Sequence, residues 1–190
     1  YITQGFIASS VSPKTTTTLG REGSDFSAAI FANCLEAEEL TIWKDVDGLR
    51  NADPKRFPDT KKIEHLSYFE AIELAFYGAS VIHPKTLKPL QNKNIPLKVR
   101  SFLDTSLRPS IIDGTKEYIE YVPSFIVKEK QTLMSITPKD YSFMNEHNRA
   151  LIFNIMDELN LHANMTQVSA LVLSICFDER SALQKIPQFS

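Results

Sequence analysis

The sequence has no long hydrophobic run and almost no excess of charge of either sign. No apolar stretch approaches the ~20 residues that a membrane-spanning helix needs, and no basic segment followed by an apolar run marks a secretion signal. Lysine and arginine together number 21, against 23 aspartates and glutamates, for a net charge of −2. This balance excludes a global electrostatic attraction to nucleic acid or to an anionic membrane. The sequence predicts a cytoplasmic protein that binds neither.

Cysteine is also scarce. The two cysteines, Cys34 and Cys176, lie far apart in apolar runs, which favours buried free thiols over a disulfide framework or a metal site. We predict no metal ligands in the chain. Hydrophobic residues make up 43% of the sequence, enough for one ordinary core or two small ones. Because Tyr1 stands at once in a strand-like segment, we expect the chain to be a fragment of a longer protein.

The first part of the chain alternates between strand-like and helix-like segments. From Ser24 onward apolar residues recur at helical spacing, and Asp25 lies in the first turn, where its charge suits the helix dipole. The alternation predicts a layered α/β domain over residues 1–103. The predicted elements are a strand at 1–8, a loop at 9–18, a helix from Ser24, a strand at 40–44, turns at 45–48 and 52–54, helices at 63–78 and 83–90, and a strand at 95–99.

The composition changes after Arg100. Residues 104–124 are predicted to be a connection with one weak strand near Ile111, and residues 125–190 a second unit. The order of elements in that unit lacks one strand of a β-α-β-β-α-β ferredoxin-like module. Its predicted elements are a strand at 125–136, a helix at 148–159, strands at 162–166 and 171–177, and the start of a helix at 179–185.

A glycine-bearing loop at residues 15–25 leads straight into the first helix. Backbone N–H groups at a helix N-terminus can bind a phosphate or a carboxylate, and Arg21 adds a fork suited to a carboxylate. Ser24 can hydrogen-bond a ligand, and Asp25 can orient a cation or a lysine. The spacing alone leaves a second interpretation open, in which Ser24 is only an N-cap and Arg21 a solvated side chain.

Three motifs, in one order, resemble the aspartokinase family. Residues 5–7 followed by 16–25 resemble its strand and its Thr-Thr-Thr-Leu-Gly-Arg-Gly-Gly-Ser-Asp signature. Residues 42–48 with 52–54 resemble its nucleotide-binding turn, and residues 77–84 resemble its Phe-Gly-Ala-Lys-Val-Leu-His-Pro segment. The resemblance implies the C-terminal part of a layered amino-acid-kinase α/β domain, followed by a partial ferredoxin-like (ACT) α+β domain.

The resemblance also implies a reaction and its participants. An aspartokinase transfers the γ-phosphoryl group of ATP, bound with Mg²⁺, to the side-chain carboxylate of L-aspartate, and the product feeds lysine, threonine and methionine biosynthesis. By this resemblance Asp25 is catalytic. The implied substrate-binding residues are Phe6, Arg21, Gly23 and Ser24, and the implied nucleotide-binding residues are Lys44, Asp45, Arg50, Lys55, Ser80 and Val81.

The chain departs from the family pattern at several positions. Ser80 stands where the pattern has a lysine that reaches the phosphates, and Lys85 or Lys14 could compensate. Glu22 replaces a glycine beside Arg21. The family's Lys-Phe-Gly-Gly-Thr-Ser segment, which holds the ATP phosphates, does not occur in these residues, and we therefore expect this piece alone to be inactive. Without the resemblance, Lys44 is an ordinary strand-end lysine, residues 45–48 are only a turn, and Trp43 belongs to the core.

The second unit resembles the first ACT domain of aspartokinases. The resemblance implies that an amino-acid effector binds near Ser142, Asn148, Arg149, Asn164 and Ser169. Ala170 replaces a glutamate of the family, which removes a partner for the ammonium group of a lysine effector. Because ACT domains bury their sheet edges against a partner, we expect a homodimer.

Two other functions stay open at this point. One keeps the amino-acid-kinase fold with a different acceptor, such as glutamate or an acetylated amino acid. The other is a non-catalytic module that binds an amino acid, an interpretation that the substitutions Glu22, Ser80 and Ala170 favour.

Overall fold

The structure is a computed structural model that describes residues 1–6, 8–17, 19, 23–79, 82–115 and 122–180. The chain divides into two compact units, Tyr1–Val127 and Lys128–Ser190. Each unit has its own hydrophobic core.

Unit 1 combines helices with short strands. Its elements are α1 (Gly23–Cys34), β1 (Leu40–Lys44), β2 (Leu49–Arg50), β3 (Lys62–Ile63), β4 (His65–Ser67), α2 (Tyr68–Tyr77), α3 (Pro84–Gln91), β5 (Leu97–Ser101) and β6 (Ser110–Asp113). The predicted helix from Ser24 is confirmed as α1, the strand at 40–44 as β1, the helix at 83–90 as α3, the strand at 95–99 as β5 and the weak strand near Ile111 as β6.

A four-stranded sheet in the order β1-β5-β6-β4 organises unit 1. β1 is parallel to β5, β4 is parallel to β6, and β5 pairs with β6 in antiparallel fashion. Because β1 and β5 are parallel, their carboxyl ends lie side by side, with Lys44 opposite Ser101. In open α/β sheets ligands bind outside the carboxyl ends of the strands, so this edge is where a site is expected.

Helices pack against this sheet, α1 on β1 and α2 on β4 and β6. Alternate residues of β5, among them Leu97 and Val99, are fully buried, as the two-residue period of a strand requires. Leu87 and Leu90 of α3 are also fully buried, and each stabilises the fold by about 1.5–3 kcal/mol. α1 packs against both α3 and β1, which fixes the position of its first turn.

The prediction of one helix over residues 63–78 is wrong in its first third. His65 and Leu66 belong to β4, where they pair with Ile111 and Ile112 of β6. α2 begins only at Tyr68, because Ser67 caps it and closes a reciprocal capping box with Glu70. The predicted stop at Gly78 is confirmed.

The predicted strand at residues 1–8 is also wrong. Among the described residues before Thr17, strand-type pairing is limited to a single antiparallel bridge between Ser9 and Thr16. Tyr1 and Ile2 are fully exposed, so neither residue buries its side chain against a neighbouring strand. A strand without a neighbour leaves its backbone groups to water and is not stable alone.

Three predicted core residues lie outside the cores. Trp43 is 49% exposed, because its neighbour Ile42 is the residue of β1 that faces the core and successive strand residues point to opposite faces. Cys176 is half-buried for the same reason, since the core residues Ile175 and Phe177 flank it. Cys34 is exposed in the last turn of α1. Both cysteines are free, as predicted.

Unit 2 contains β7 (Gln131–Ile136), α4 (Glu146–Glu158), β8 (Ala163–Val168) and β9 (Leu173–Asp178). The sheet order is β7-β9-β8, with both pairings antiparallel. β7 and β8, which α4 joins, lie on either side of β9. This is the arrangement of a ferredoxin-like module. The strand predicted from residue 125 is shorter, since β7 begins at Gln131. Glu179 and Arg180 are helical, and the rest of the helix predicted at 179–185 lies outside the described residues.

Candidate active site

The first turn of α1 faces the carboxyl end of β1. The Nζ atom of Lys44 lies 2.7 Å from Oδ2 of Asp25. The Asp25 side chain is 6% exposed and the Lys44 side chain 25% exposed. Since an isolated buried charge is strongly unfavourable, the lysine is what allows the carboxylate to stay buried. The Ser24 hydroxyl lies 3.5 Å from the other carboxylate oxygen, Oδ1.

Two glycines let the N-terminal segment lie directly on this turn. A Cβ atom at Gly5 would lie 2.2 Å from Cβ of Ser24, and one at Gly23 would lie 2.8 Å from Cδ1 of Phe6. Neither position has room for a side chain. Phe6 has a φ of 61°, a left-handed conformation that is uncommon for an aromatic residue. The structure thus brings together Phe6, Gly23, Ser24, Asp25 and Lys44.

The turn after β1 is held by Arg50. Its Nη2 atom lies 2.8 Å from Oδ2 of Asp47, and its Nε atom lies 3.1 Å from Oδ1 of the same residue. Nη1 donates to the backbone oxygen and the hydroxyl of Thr60, at 3.1 and 2.9 Å. Arg50 therefore shapes the turn that contains Asp45, and its contact with a nucleotide stays a prediction.

Gly48 in this turn is required by a close approach. Its φ is 134°, and a Cβ atom there would lie 2.5 Å from the Ser110 hydroxyl oxygen. That hydroxyl is fully buried, donates to the backbone oxygen of Ile63 at 2.6 Å and accepts from the backbone N–H of Leu49 at 2.9 Å. Ser110 therefore joins β6 to β2 and β3, a role that the sequence did not reveal.

Several predicted site residues cannot be assigned to this arrangement. Arg21, Ser80 and Val81 lie outside the described residues. Lys55 is exposed, and its backbone N–H donates to Oδ1 of Asp53 at 2.9 Å. These nucleotide and substrate roles stay predictions.

Two buried or half-buried residues beside the site were missed in the sequence. Ser101 is 5% exposed, and its hydroxyl accepts the backbone N–H groups of Leu103 and Asp104 at 3.2 and 3.4 Å. It thereby shapes the loop after β5, next to Lys44. The signal was a polar residue in register with the buried positions of an apolar strand. On the opposite face Arg100 lies over the ring of Trp43, with Cζ 5.7 Å from the centroid.

Unit 2 has a surface cavity of about 380 Å³ between the end of β7 and the start of α4. The predicted effector residues Ser142 and Asn148 line it, together with Asp140. Hydrogen bonds from Ser142 hold the pKa of Asp140 below its ordinary value, so the cavity presents an ionised carboxylate. Its apolar lining consists of Ile136, Pro138, Met144, Leu151 and Ile152.

The other predicted effector residues make contacts of their own. Arg149 pairs with Glu146. Asn164 donates to Oε1 of Gln131 at 2.6 Å and to Oδ1 of Asp178 at 3.0 Å. The Ser169 hydroxyl accepts the backbone N–H of Val172 at 3.2 Å. Their roles toward an effector stay predictions.

The part of the chain that the structure describes contains no helix long and apolar enough to cross a bilayer. It also contains no group of three or more His, Cys, Asp or Glu side chains that could hold a metal ion.

The chain can be compared with known proteins. Residues 1–101 match the amino acid kinase family. Because this match covers more than half of the sequence, the chain belongs to the amino acid kinase family.

Relatives within that family are aspartokinases. Lysine-sensitive aspartokinase 3 of Escherichia coli (strain K12) is 33% identical over 180 residues, which cover 93% of this chain and 39% of that protein. Aspartokinase 3, chloroplastic, of Arabidopsis thaliana is 29% identical over 182 residues, which cover 93% of this chain and 32% of that protein. The chain spans about a third of the length of these relatives.

A solved structure extends the comparison to the fold. The crystal structure of E. coli aspartokinase III in complex with aspartate and ADP matches 95% of this chain and 43% of its own, with a TM-score of 0.75 and 28% identity. This agreement confirms the predicted α/β fold, and the strand order of unit 2 is the one expected for a partial ferredoxin-like module.

Proposed function

We propose that this chain is part of an aspartokinase. The enzyme transfers the γ-phosphoryl group of ATP to the side-chain carboxylate of L-aspartate and forms 4-phospho-L-aspartate, the first step of lysine, threonine and methionine biosynthesis. In this proposal the chain contributes the edge of the kinase domain at the carboxyl ends of β1 and β5. The name and the bound aspartate and ADP of the E. coli structure support the choice of substrates.

The observation that carries the proposal is the ion pair between Asp25 and Lys44. These residues belong to two separate motifs, 19 positions apart in sequence, and their side chains are 2.7 Å apart at the N-terminus of α1. A helix N-terminus stabilises negative charge. A positioned cation and a buried carboxylate beside it are the groups that a phosphoryl-transfer site uses to position and neutralise its reactants.

ATP and Mg²⁺ are consistent with the residues at this edge. Mg²⁺ binds hard oxygen ligands and usually reaches a kinase site on the phosphates of the nucleotide. The Ser24 hydroxyl is the oxygen group of α1 that would meet it, since the Asp25 carboxylate is buried and paired with Lys44. The ion would neutralise phosphate charge, while Asp25 keeps Lys44 oriented.

The test is aspartate-dependent formation of ADP by the full-length protein that contains this chain. Asp25→Asn removes the charge that holds Lys44 and lowers kcat/KM by about 10²–10³-fold, the range for one preorganised electrostatic contact. Asp59→Asn, an exposed carboxylate of the loop before β3, is the matched control and leaves activity unchanged.

The outcomes separate the proposal from its two alternatives. Turnover with glutamate or an acetylated amino acid, and none with aspartate, would keep the fold and reject the substrate. An absence of turnover with every acceptor, combined with amino-acid binding, would support the non-catalytic module.

We further propose that the cavity of unit 2 binds an amino-acid effector. Its ionised Asp140 suits an α-ammonium group, and its apolar lining suits a hydrocarbon side chain. The E. coli relative is lysine-sensitive by name. In this chain Ala170 supplies only its backbone oxygen, to the N–H of Met144 at 2.8 Å, so a second ammonium group has no carboxylate at that position.

We propose a homodimer, since β7 and β8 form the two edges of the sheet that the structure describes in unit 2, and edge strands are commonly covered by a partner. We also propose a cytoplasmic location, which rests on the sequence alone.

A further inference from the structure

Lys44 is the charged residue whose role the structure defines most closely. It ends β1, beside Ser101 of the parallel strand β5, and its ammonium group reaches the first turn of α1. We propose that Lys44 is a catalytic cation that faces the transferring phosphoryl group, in place of the lysine that the aspartokinase pattern has at position 80. The inference rests on the proposed function and deepens it. The resemblance implies that Lys44 borders the nucleotide, whereas here Lys44 acts on the phosphoryl group that is transferred.

The ion pair leaves Lys44 free to bind a second anion. An ammonium group has three N–H donors, and one of them is directed at Asp25. The Asp25 side chain is sealed at 6% exposure, whereas the Lys44 side chain is open at 25%. The carboxylate therefore anchors the lysine from inside, and the remaining donors are available on the open side.

The surroundings of Lys44 favour a negatively charged ligand. The N-terminus of α1 carries a partial positive charge, and Lys44 adds a full one at the same point. Asp25 offsets one charge of this group. A phosphoryl group in transfer spreads negative charge over its equatorial oxygens, and a cation already oriented by a buried carboxylate needs no reorganisation to meet it.

The other lysines that could compensate for Ser80 lack such an anchor. Lys14 and Lys85 are exposed surface side chains. The Arg50 guanidinium is directed at Asp47 and Thr60. Among these four side chains, Lys44 is the one that a buried carboxylate holds in place and that is still partly exposed at the carboxyl ends of β1 and β5.

The chemical step keeps Lys44 protonated. A carboxylate oxygen of aspartate forms a bond to the γ-phosphorus while the bond from that phosphorus to the bridging oxygen of ADP breaks. The electron pair of the broken bond leaves with ADP, and no proton is transferred. Lys44 donates hydrogen bonds to the equatorial oxygens as their charge is redistributed.

The experiment uses Lys44→Gln in the full-length protein. Glutamine removes the charge and keeps amide N–H donors, on a side chain one bond shorter than that of lysine. We expect kcat to fall by about 10²–10³-fold with little change in KM for ATP, because the interaction is made mainly in the transition state. Lys44→Arg retains charge and most of the activity. The control is Lys93→Met. Lys93 pairs with Glu36 and precedes the amino end of β5, so its removal leaves kcat unchanged.

A second-site variant tests directly whether Lys44 takes the role of the lysine that the family pattern has at position 80. In Lys44→Gln/Ser80→Lys a lysine returns to the position of the family pattern, and we expect kcat to recover by at least about ten-fold, a single charge-assisted contact. A Lys44→Gln variant that raises KM for ATP at an unchanged kcat overturns the proposal, since Lys44 then only borders the nucleotide. A double variant as slow as Lys44→Gln overturns it as well. A wild-type protein that is inactive with aspartate would reject the proposed function itself, which keeps the two failures distinct.

Discussion

Tyr68 shows how one buried side chain couples the fold to pH. It is the first residue of α2, is 3% exposed, and donates its hydroxyl proton to the backbone oxygen of Ile95 at 2.7 Å. Burial, and to a smaller extent the negative charge of Asp113, raise the pKa of Tyr68 to about 12. The phenol therefore stays protonated in the folded chain over a range in which an unfolded tyrosine, with a pKa of about 10, ionises.

Stability should accordingly fall in alkaline solution. Because the folded pKa is raised, the contribution of Tyr68 is complete below about pH 10 and is lost as the pH rises toward the folded pKa. We expect the free energy of unfolding of the wild type to decrease more steeply over this window than that of Tyr68→Phe, which has no proton to lose. Urea unfolding at a series of pH values measures the two slopes.

Tyr77→Phe is the control, since Tyr77 is 52% exposed and its removal should leave the wild-type slope. Equal slopes for the wild type and Tyr68→Phe would contradict the assignment.

At the level of elements, α2 depends on its cap. The Ser67 hydroxyl accepts the backbone N–H of Glu70 at 3.2 Å, and the Glu70 carboxylate accepts the backbone N–H of Ser67 at 2.8 Å. These bonds satisfy donors that an uncapped helix leaves to water. They also mark the point at which β4 ends.

We expect Ser67→Ala to lower the free energy of unfolding by about 1 kcal/mol, the usual cost of a lost N-cap. Ser67→Thr keeps the capping oxygen and should cost much less. Urea unfolding checks both, with a shift of the midpoint at an unchanged slope. If threonine destabilised the chain as much as alanine, the cap would not be the cause.

Elements with a strong internal signal could be predicted from the sequence. Apolar spacing defined α1 and α4, and a short apolar run defined β1. Elements that depend on distant partners could not. β4 pairs with β6, 46 positions later. Its apolar residues continue the helical pattern of α2, so the sequence predicted a single helix over both elements. β2 and β3 have two residues each and carry no periodicity at all.

The candidate site shows the same division. The loop before α1 and the turn after β1 could each be recognised as a motif. Their contact through Asp25 and Lys44 could not, because a side-chain pair across 19 residues of sequence leaves no local pattern. Ser110 was missed for a related reason, since a serine in a strand becomes notable only when its burial is known, whereas Ser101 had a signal in its register with the apolar residues of β5.

For the whole chain, the two units provide separate readouts of ligand binding. Trp43, the single tryptophan, lies in unit 1, whereas the cavity lies in unit 2. An amino acid that occupies the cavity at 100 times its Kd should stabilise unit 2 by about 2.7 kcal/mol. We expect far-UV circular dichroism to show an upward shift of one melting transition, while the transition monitored by Trp43 fluorescence stays in place.

Single amino acids are tested in turn, and Asp140→Asn should abolish the shift by removing the carboxylate of the cavity. Asp157→Asn, which changes an exposed carboxylate near the end of α4 outside the cavity, is the matched control. The proposed effector site is wrong if no amino acid moves the transition, or if Asp140→Asn responds as the wild type does.

The strand order of unit 2 determines when its sheet can assemble during translation. β9 lies between β7 and β8, and it is the last of the three to leave the ribosome. Until then neither of the other strands has its neighbour, and Ile175 and Phe177, which complete the core, have not been synthesised. At about 5–20 residues per second, the stretch from β7 to β9 takes a few seconds to emerge. For that interval the nascent chain presents two unpaired strands, so we expect this part of the protein to be most prone to aggregation before β9 has emerged.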